Sequence, residues 1–82
     1  MPAARALELF HRLAEPDSAR ARRLVTELGL LGRVAFRNVA FDSHRSALAE
    51  RGGGPTPALW DGARLHQGMG PVRAALRAAA DR

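Results

Sequence analysis

An amphipathic helix pattern lies between two short apolar runs in the first half of this chain. The first run, residues 6–11, alternates in polarity, and the second, residues 34–41, is rich in β-branched and aromatic side chains. Both runs are therefore typical of strands. Between them, the segment that begins near Pro16 carries apolar residues at the helical period. A helix that joins two strands predicts a βαβ unit with parallel strands.

The chain next predicts a shorter helix, which runs to about residue 50. Asp42 or Ser43 is placed to cap this helix, and the three glycines 52–54 end it. No linker, internal repeat or low-complexity segment follows. We therefore expect one domain over residues 1–82.

The last third of the chain predicts a β-hairpin and a final helix. The pair Asp61-Gly62 separates two apolar runs, which predicts a hairpin with a two-residue turn. Gly70-Pro71 is expected to open the last helix. The predicted element order is then βαβαββα. The simplest fold with this order is an α/β sandwich with a four-stranded mixed sheet.

The size and composition of the chain limit its core and its chemistry. With 82 residues and seventeen alanines, the core is small, so a homodimer is a natural supplement to its stability. The chain lacks cysteine, which removes disulfides, zinc–thiolate sites and thiol catalysis. The histidines 11, 44 and 66 do not have the spacing of metal ligands. No apolar stretch has the length of a membrane span, and we expect a soluble, cytoplasmic protein without a membrane partner.

The basic charge of the chain comes from arginine alone. There are thirteen Arg and no Lys, and the formal net charge is +5. A basic surface attracts nucleic acid, phosphate or acidic partners. These arginines are spread along the chain, and no DNA-reading motif accompanies them. A basic nucleic-acid-binding domain is therefore the last-ranked interpretation.

Two short motifs give this chain a family resemblance. The turn Glu15-Pro16-Asp17-Ser18 precedes the Arg-rich helix, and Thr56-Pro57 precedes the third strand. Together they resemble the glutaredoxin family and the N-terminal domain of glutathione transferases, which share the thioredoxin-like fold. The resemblance implies that Glu15 occupies the position of the nucleophilic cysteine and Ser18 that of the resolving cysteine. Arg12 matches a basic residue that would contact a carboxylate of glutathione.

The resemblance also implies roles for two later loops. Thr56-Pro57 corresponds to a turn with a cis proline, whose preceding residue offers backbone N–H and C=O groups to an extended peptide. The loop with Gln67 and Gly68 corresponds to the one that holds the γ-glutamyl end of glutathione. Gly68 lacks the side-chain donor expected there, which weakens the match.

Two interpretations of the turn before the helix stay open. Glu15 can be an ordinary helix-start residue that caps the helix, or part of an altered ligand site. In either case neither a carboxylate nor a hydroxyl can form a mixed disulfide. We therefore expect a non-catalytic binding module whose partner is a protein or glutathione. The alternative is a glutathione-binding or transferase-type protein that uses Ser18.

Overall fold

A computed structural model describes residues 7–82, in which three α-helices accompany a four-stranded sheet. The elements in chain order are β1 (Leu7–His11), α1 (Pro16–Glu27), β2 (Val34–Asn38), α2 (Asp42–Glu50), β3 (Ala58–Trp60), β4 (Leu65–Gln67) and α3 (Met69–Ala80), with a 3₁₀ turn (Leu31–Arg33) before β2. The predicted order βαβαββα is confirmed. Ala6, the predicted first residue of β1, lies outside the described residues.

The sheet is mixed, and its strand order is β2-β1-β3-β4. β1 runs parallel to β2 and antiparallel to β3, and β4 is antiparallel to β3. At the centre, Leu9 pairs with Phe36 on one side and with Leu59 on the other. The parallel pair confirms the predicted βαβ unit. β2 and β4 form the two edges of the sheet.

The core lies on both faces of the sheet, because alternate residues of β1 point to opposite sides. Leu9 packs with Val25 of α1 and Leu76 of α3, and all three are fully buried. On the other face, Phe10 packs with Leu48 of α2. Each such side chain contributes about 1.5–3 kcal/mol by leaving water. The hydrophobic core therefore has two parts, one on each face of the sheet, and helices cover both.

β2 ends earlier than the sequence predicts, at Asn38 instead of Phe41. The Asn38 side-chain carbonyl accepts the N–H of Ala40 at 3.0 Å, which turns the chain away from the sheet. Phe41 then stands just before α2, and Asp42 is the first helical residue. The predicted cap at Asp42 or Ser43 was wrong, since no side chain caps this helix.

The hairpin between β3 and β4 has a four-residue loop, so the predicted two-residue turn was wrong. Trp60 pairs with Leu65, and the Asp61 carboxylate accepts the N–H groups of Ala63 and Arg64, each at 2.8 Å. A type I′ turn needs two successive residues with positive φ. In this loop only Gly62 has one, at 97°. The side chain of Asp61 therefore selects the longer loop.

α3 begins at Met69, one residue before the predicted Gly70-Pro71 start. Gly68, with a φ of 92°, precedes it. α1 and α3 each have 12 residues, against about 20 apolar residues for a bilayer crossing. None of the helices in residues 7–82 has the length and hydropathy that such a crossing requires.

Candidate functional site

The predicted site residues converge at one end of the sheet. Phe10 near the end of β1 pairs with Ala58 at the start of β3, and Ala58 pairs with Gln67 at the end of β4. The loops that follow β1, precede β3 and follow β4 are therefore neighbours. This topology brings segments that are about 40–50 residues apart in the chain to one surface.

A hydrogen-bond network centred on Glu15 joins two of these loops. The Glu15 carboxylate oxygen Oε1 accepts the hydroxyl of Ser18 at 2.5 Å and that of Thr56 at 2.8 Å. The backbone N–H of Arg12 donates to the Ser18 oxygen at 3.1 Å. Ser18 is fully buried, so both its donor and its acceptor capacity are used inside the protein. The network fixes the start of α1 against the loop before β3.

Glu15 occupies the position before the first turn of α1, but it does not cap the helix with its side chain. Its backbone carbonyl accepts the N–H of Ala19 at 3.1 Å, as in an ordinary first turn. A capping side chain would accept the backbone N–H of the third helical residue, which is Ser18. The Glu15 carboxylate instead accepts the side-chain hydroxyl of Ser18. Of the two open interpretations, the one in which the Glu15 side chain caps the helix is therefore wrong. Its negative charge still lies at the positive end of the helix dipole.

The loop before β3 contains the cis peptide bond that was predicted between Thr56 and Pro57. Pro57 is buried, and its carbonyl accepts the N–H of Gly68 at 2.9 Å. The Gln67 side chain accepts the N–H of Gly54 at 3.3 Å, so it is tied to the same loop. Within residues 7–82, neither the N–H nor the C=O of Thr56 has a hydrogen-bond partner. A ligand could pair with these two groups without breaking a hydrogen bond to any described residue.

Arg12 lies beside a shallow groove at the ends of β1 and β2. The groove has a volume of about 290 Å³ and is lined by Arg12, Leu13, Ala14, Asn38 and Ala40. The Arg12 side chain is exposed, and its guanidinium forms no ion pair or hydrogen bond within the described part of the chain. This cation can therefore meet an anionic group of a ligand.

His11 is buried behind this surface, at the end of β1. The Arg22 guanidinium donates to His11 Nδ1 at 2.9 Å and to the Arg12 carbonyl at 3.2 Å. Because a guanidinium only donates, Nδ1 is the acceptor and the imidazole proton lies on Nε2. Burial lowers the pKa of His11, and the charges of Arg22 and His44 lower it further. Arg22 of α1 is therefore tied to the end of β1 by its guanidinium.

A charged cluster that the sequence analysis missed lies on the α2 side of the sheet. Glu8 in β1 pairs with Arg37 at 3.1 Å and with Arg51 at 2.8 Å, and the Arg51 guanidinium lies 4.7 Å from the centre of the Trp60 ring. Burial acts to raise the pKa of Glu8, but the hydrogen bonds and charges of Arg51 and Arg37 outweigh it and the pKa is lowered. An acidic residue inside an apolar strand was the sequence signal for this cluster.

The site holds backbone polar groups and charged side chains. Glu15 and Ser18 occupy the two positions where the resemblance implies cysteines, and their oxygens bond each other. Among the His, Asp and Glu side chains of residues 7–82, no group of three could hold a metal ion. No family model, no curated protein and no solved structure matches the chain.

Proposed function

We propose that this protein is a glutaredoxin-like module with a thioredoxin-like fold that binds a ligand and does not catalyse thiol–disulfide exchange. The observation that carries this proposal is the Glu15 carboxylate, held at the start of α1 by the hydroxyls of Ser18 and Thr56. A thiolate at that position would be the nucleophile of a redox protein. A carboxylate keeps the negative charge there and cannot exchange disulfides.

The available groups around this network favour an extended peptide as the ligand. The free N–H and C=O of Thr56 can pair with a peptide backbone as a strand does. Such pairing does not depend on cysteine, so it survives the loss of the redox chemistry. The unpaired guanidinium of Arg12, on the loop that precedes Glu15, would favour a carboxylate on the same ligand. The binding partner is then a segment of another protein.

Glutathione is the second candidate ligand, favoured by the same unpaired Arg12. Transferase chemistry on it is less well supported. To stabilise a glutathione thiolate, the Ser18 hydroxyl would have to donate to sulfur, yet it is buried and donates to Glu15. The Glu15 carboxylate would also repel an incoming thiolate. Binding without turnover is the form of this alternative that the geometry favours.

An amide NMR titration with reduced glutathione tests the ligand. The informative signals are those of Arg12, Ser18, Thr56, Gln67 and Gly68. If glutathione binds in the proposed site, these shifts saturate together at millimolar concentration. An absence of shifts leaves a protein segment as the ligand.

Two controls make the titration specific. Arg12→Gln should weaken the glutathione shifts, whereas Arg73→Gln, which removes an exposed arginine of α3, should not. The purified protein is also assayed for disulfide reduction with glutathione present. Measurable turnover would overturn the proposal that the module is non-catalytic.

A further inference from the structure

β2 is an open edge of the sheet. Among residues 7–82 it pairs with β1 alone. The N–H of Val39 donates to the His11 carbonyl at 3.0 Å, and hydrogen-bonding direction alternates along a strand of a parallel pair. The backbone groups of Ala35 and Arg37 therefore face β1. Those of Phe36 point outward, where no described residue meets them.

Within residues 7–82, this edge has little of what usually protects an edge strand. Natural proteins shorten such strands, place charge on them or cover them. β4, the opposite edge, has only three residues, whereas β2 has five. The charged residue of β2 is Arg37, and its guanidinium pairs with the Glu8 carboxylate at 3.1 Å. The backbone of β2 is therefore open to pairing.

Exposed apolar side chains occur within β2 and in the segments that flank it. Leu31 before β2 is 55% exposed, Phe36 within it 38%, and Phe41 after it 62%. Leu13, which lines the groove at the carboxyl end of β2, is 68% exposed. An incoming strand would cover the exposed apolar surface of Phe36 and, at the carboxyl end of β2, that of Leu13.

The charge near this edge indicates which kind of incoming strand would bind there. The groove at the carboxyl end of β2 carries the unpaired guanidinium of Arg12, and the whole chain has a net charge of +5. A second copy of the chain would bring the same positive charge to the contact. An acidic segment would complement it.

We propose that the β2 edge binds an extended segment of a partner protein, with acidic and apolar side chains in alternation, as an additional strand. Its backbone pairs with the N–H and C=O of Phe36. One of its apolar side chains lies in the groove against Leu13, and an acidic one pairs with Arg12. This interaction goes beyond the proposed function, because it uses the outer edge of the sheet and not the backbone of Thr56.

A peptide of alternating Glu and Val, about six residues long, provides the test. We expect it to shift the Phe36 amide in an NMR titration and to bind more weakly as salt increases. Two further peptides are methylated on every second backbone nitrogen. The first peptide carries the methyl groups on the odd-numbered residues and the second on the even-numbered residues. Only the set that faces β2 donates to it, so one methylated peptide should lose affinity by roughly tenfold or more and the other should retain it.

Charge controls complete the experiment. A Lys–Val peptide should bind at least about tenfold more weakly than the Glu–Val peptide. Arg12→Glu should weaken the Glu–Val peptide, and Arg73→Glu, on an exposed face of α3, should have a smaller effect.

Three results would overturn this inference. The first is no binding at millimolar peptide, and the second is equal loss of affinity for both methylated peptides. The third is a dimer in sedimentation with the Phe36 amide protected from exchange, because a second copy of the chain would then occupy the edge. The glutathione titration, which follows the Thr56 amide, does not depend on any of these three results. Failure of the β2-edge proposal can therefore be distinguished from failure of the proposed function.

Discussion

Thr56 donates its hydroxyl hydrogen to the Glu15 carboxylate at 2.8 Å, across 41 residues of sequence. Together with the Ser18 hydroxyl on the same oxygen, this contact ties the start of α1 to the loop before β3. An ordinary helix-start glutamate would bond only its own first turn. Glu15 bonds Ser18 in that turn and also Thr56 outside it, so its side chain belongs to the candidate ligand site.

Replacing Glu15 by Ala should lower the free energy of unfolding by about 1–3 kcal/mol, because the buried Ser18 hydroxyl loses its acceptor. Asp17→Ala, in the same helical turn, is the matched control. It removes an exposed pair with Arg20 and should cost less than about 1 kcal/mol. Urea denaturation followed by circular dichroism measures both. Equal losses would show that the Glu15 network stabilises the protein no more than an exposed ion pair does.

Glu15→Cys should create a thiol whose pKa lies below the ordinary value of about 8.5. The start of α1 and the hydroxyls of Ser18 and Thr56 would stabilise a thiolate as they stabilise the carboxylate. Thiolate absorbance measured against pH reports the pKa. Ala78→Cys, at an exposed position near the carboxyl end of α3, is the control. The prediction fails if the two thiols titrate at the same pH.

The buried imidazole of His11 should make stability depend on pH. Its pKa in the folded protein is lowered by burial and then by Arg22, so the unfolded chain takes up a proton more readily. This contribution to stability is complete above about pH 6.5 and decreases as pH falls toward the lowered value. Urea denaturation at a series of pH values measures the decrease.

Arg22→Gln should raise the pKa of His11 by removing the adjacent positive charge. NMR titration of the imidazole ring measures this change. Arg23→Gln, at the next and exposed position of α1, should leave the His11 pKa close to that of the unmodified protein. An unchanged pKa in Arg22→Gln would mean that burial and the charge of His44 set the pKa of His11 without Arg22.

Asp61 should stabilise the hairpin above about pH 4. Burial acts to raise its pKa, but hydrogen bonds from His66, Arg64 and Ala63 lower it from 3.8 to about 2. The stabilisation is therefore present above pH 3.8 and is lost as pH falls toward 2. Asp61→Asn retains a hydrogen-bond acceptor but removes the charge. The stability of this variant should therefore vary less between pH 3.8 and 2 than that of the unmodified protein. Urea midpoints measured against pH test this, with Asp81→Asn, an exposed carboxylate near the chain end, as control.

Gly53→Ala should destabilise the protein by about 1–3 kcal/mol through overpacking. A Cβ at Gly53 would lie 2.5 Å from a methyl carbon of Leu65 and 2.6 Å from one of Leu48, and Leu48 is buried in the core. A Cβ at the adjacent Gly54 meets nothing within 4 Å. Gly54→Ala should therefore have little effect, and thermal unfolding compares the two variants.

Much of the fold could be predicted because its signals are local. The alternation in β1 and the apolar stripe of α1 predicted the βαβ unit, and Pro16 marked the start of the helix. The errors fell where one polar side chain redirects the backbone. Asn38 ends β2 early, and Asp61 lengthens the hairpin loop. Such side-chain–backbone bonds compete with regular structure and are not visible in hydrophobic periodicity.

The order of the elements could be predicted from the sequence alone, and the absence of cysteine excluded thiol chemistry. The family resemblance also pointed to Glu15, Ser18 and Thr56 as candidate site residues. Three relationships follow from the tertiary arrangement: one carboxylate oxygen accepts both hydroxyls, Arg22 contacts His11, and Phe36 lies on an edge of the sheet that no other described strand pairs with. The physical reason is that these relationships depend on distances between segments far apart in the chain. Packing of the helices against the sheet sets those distances.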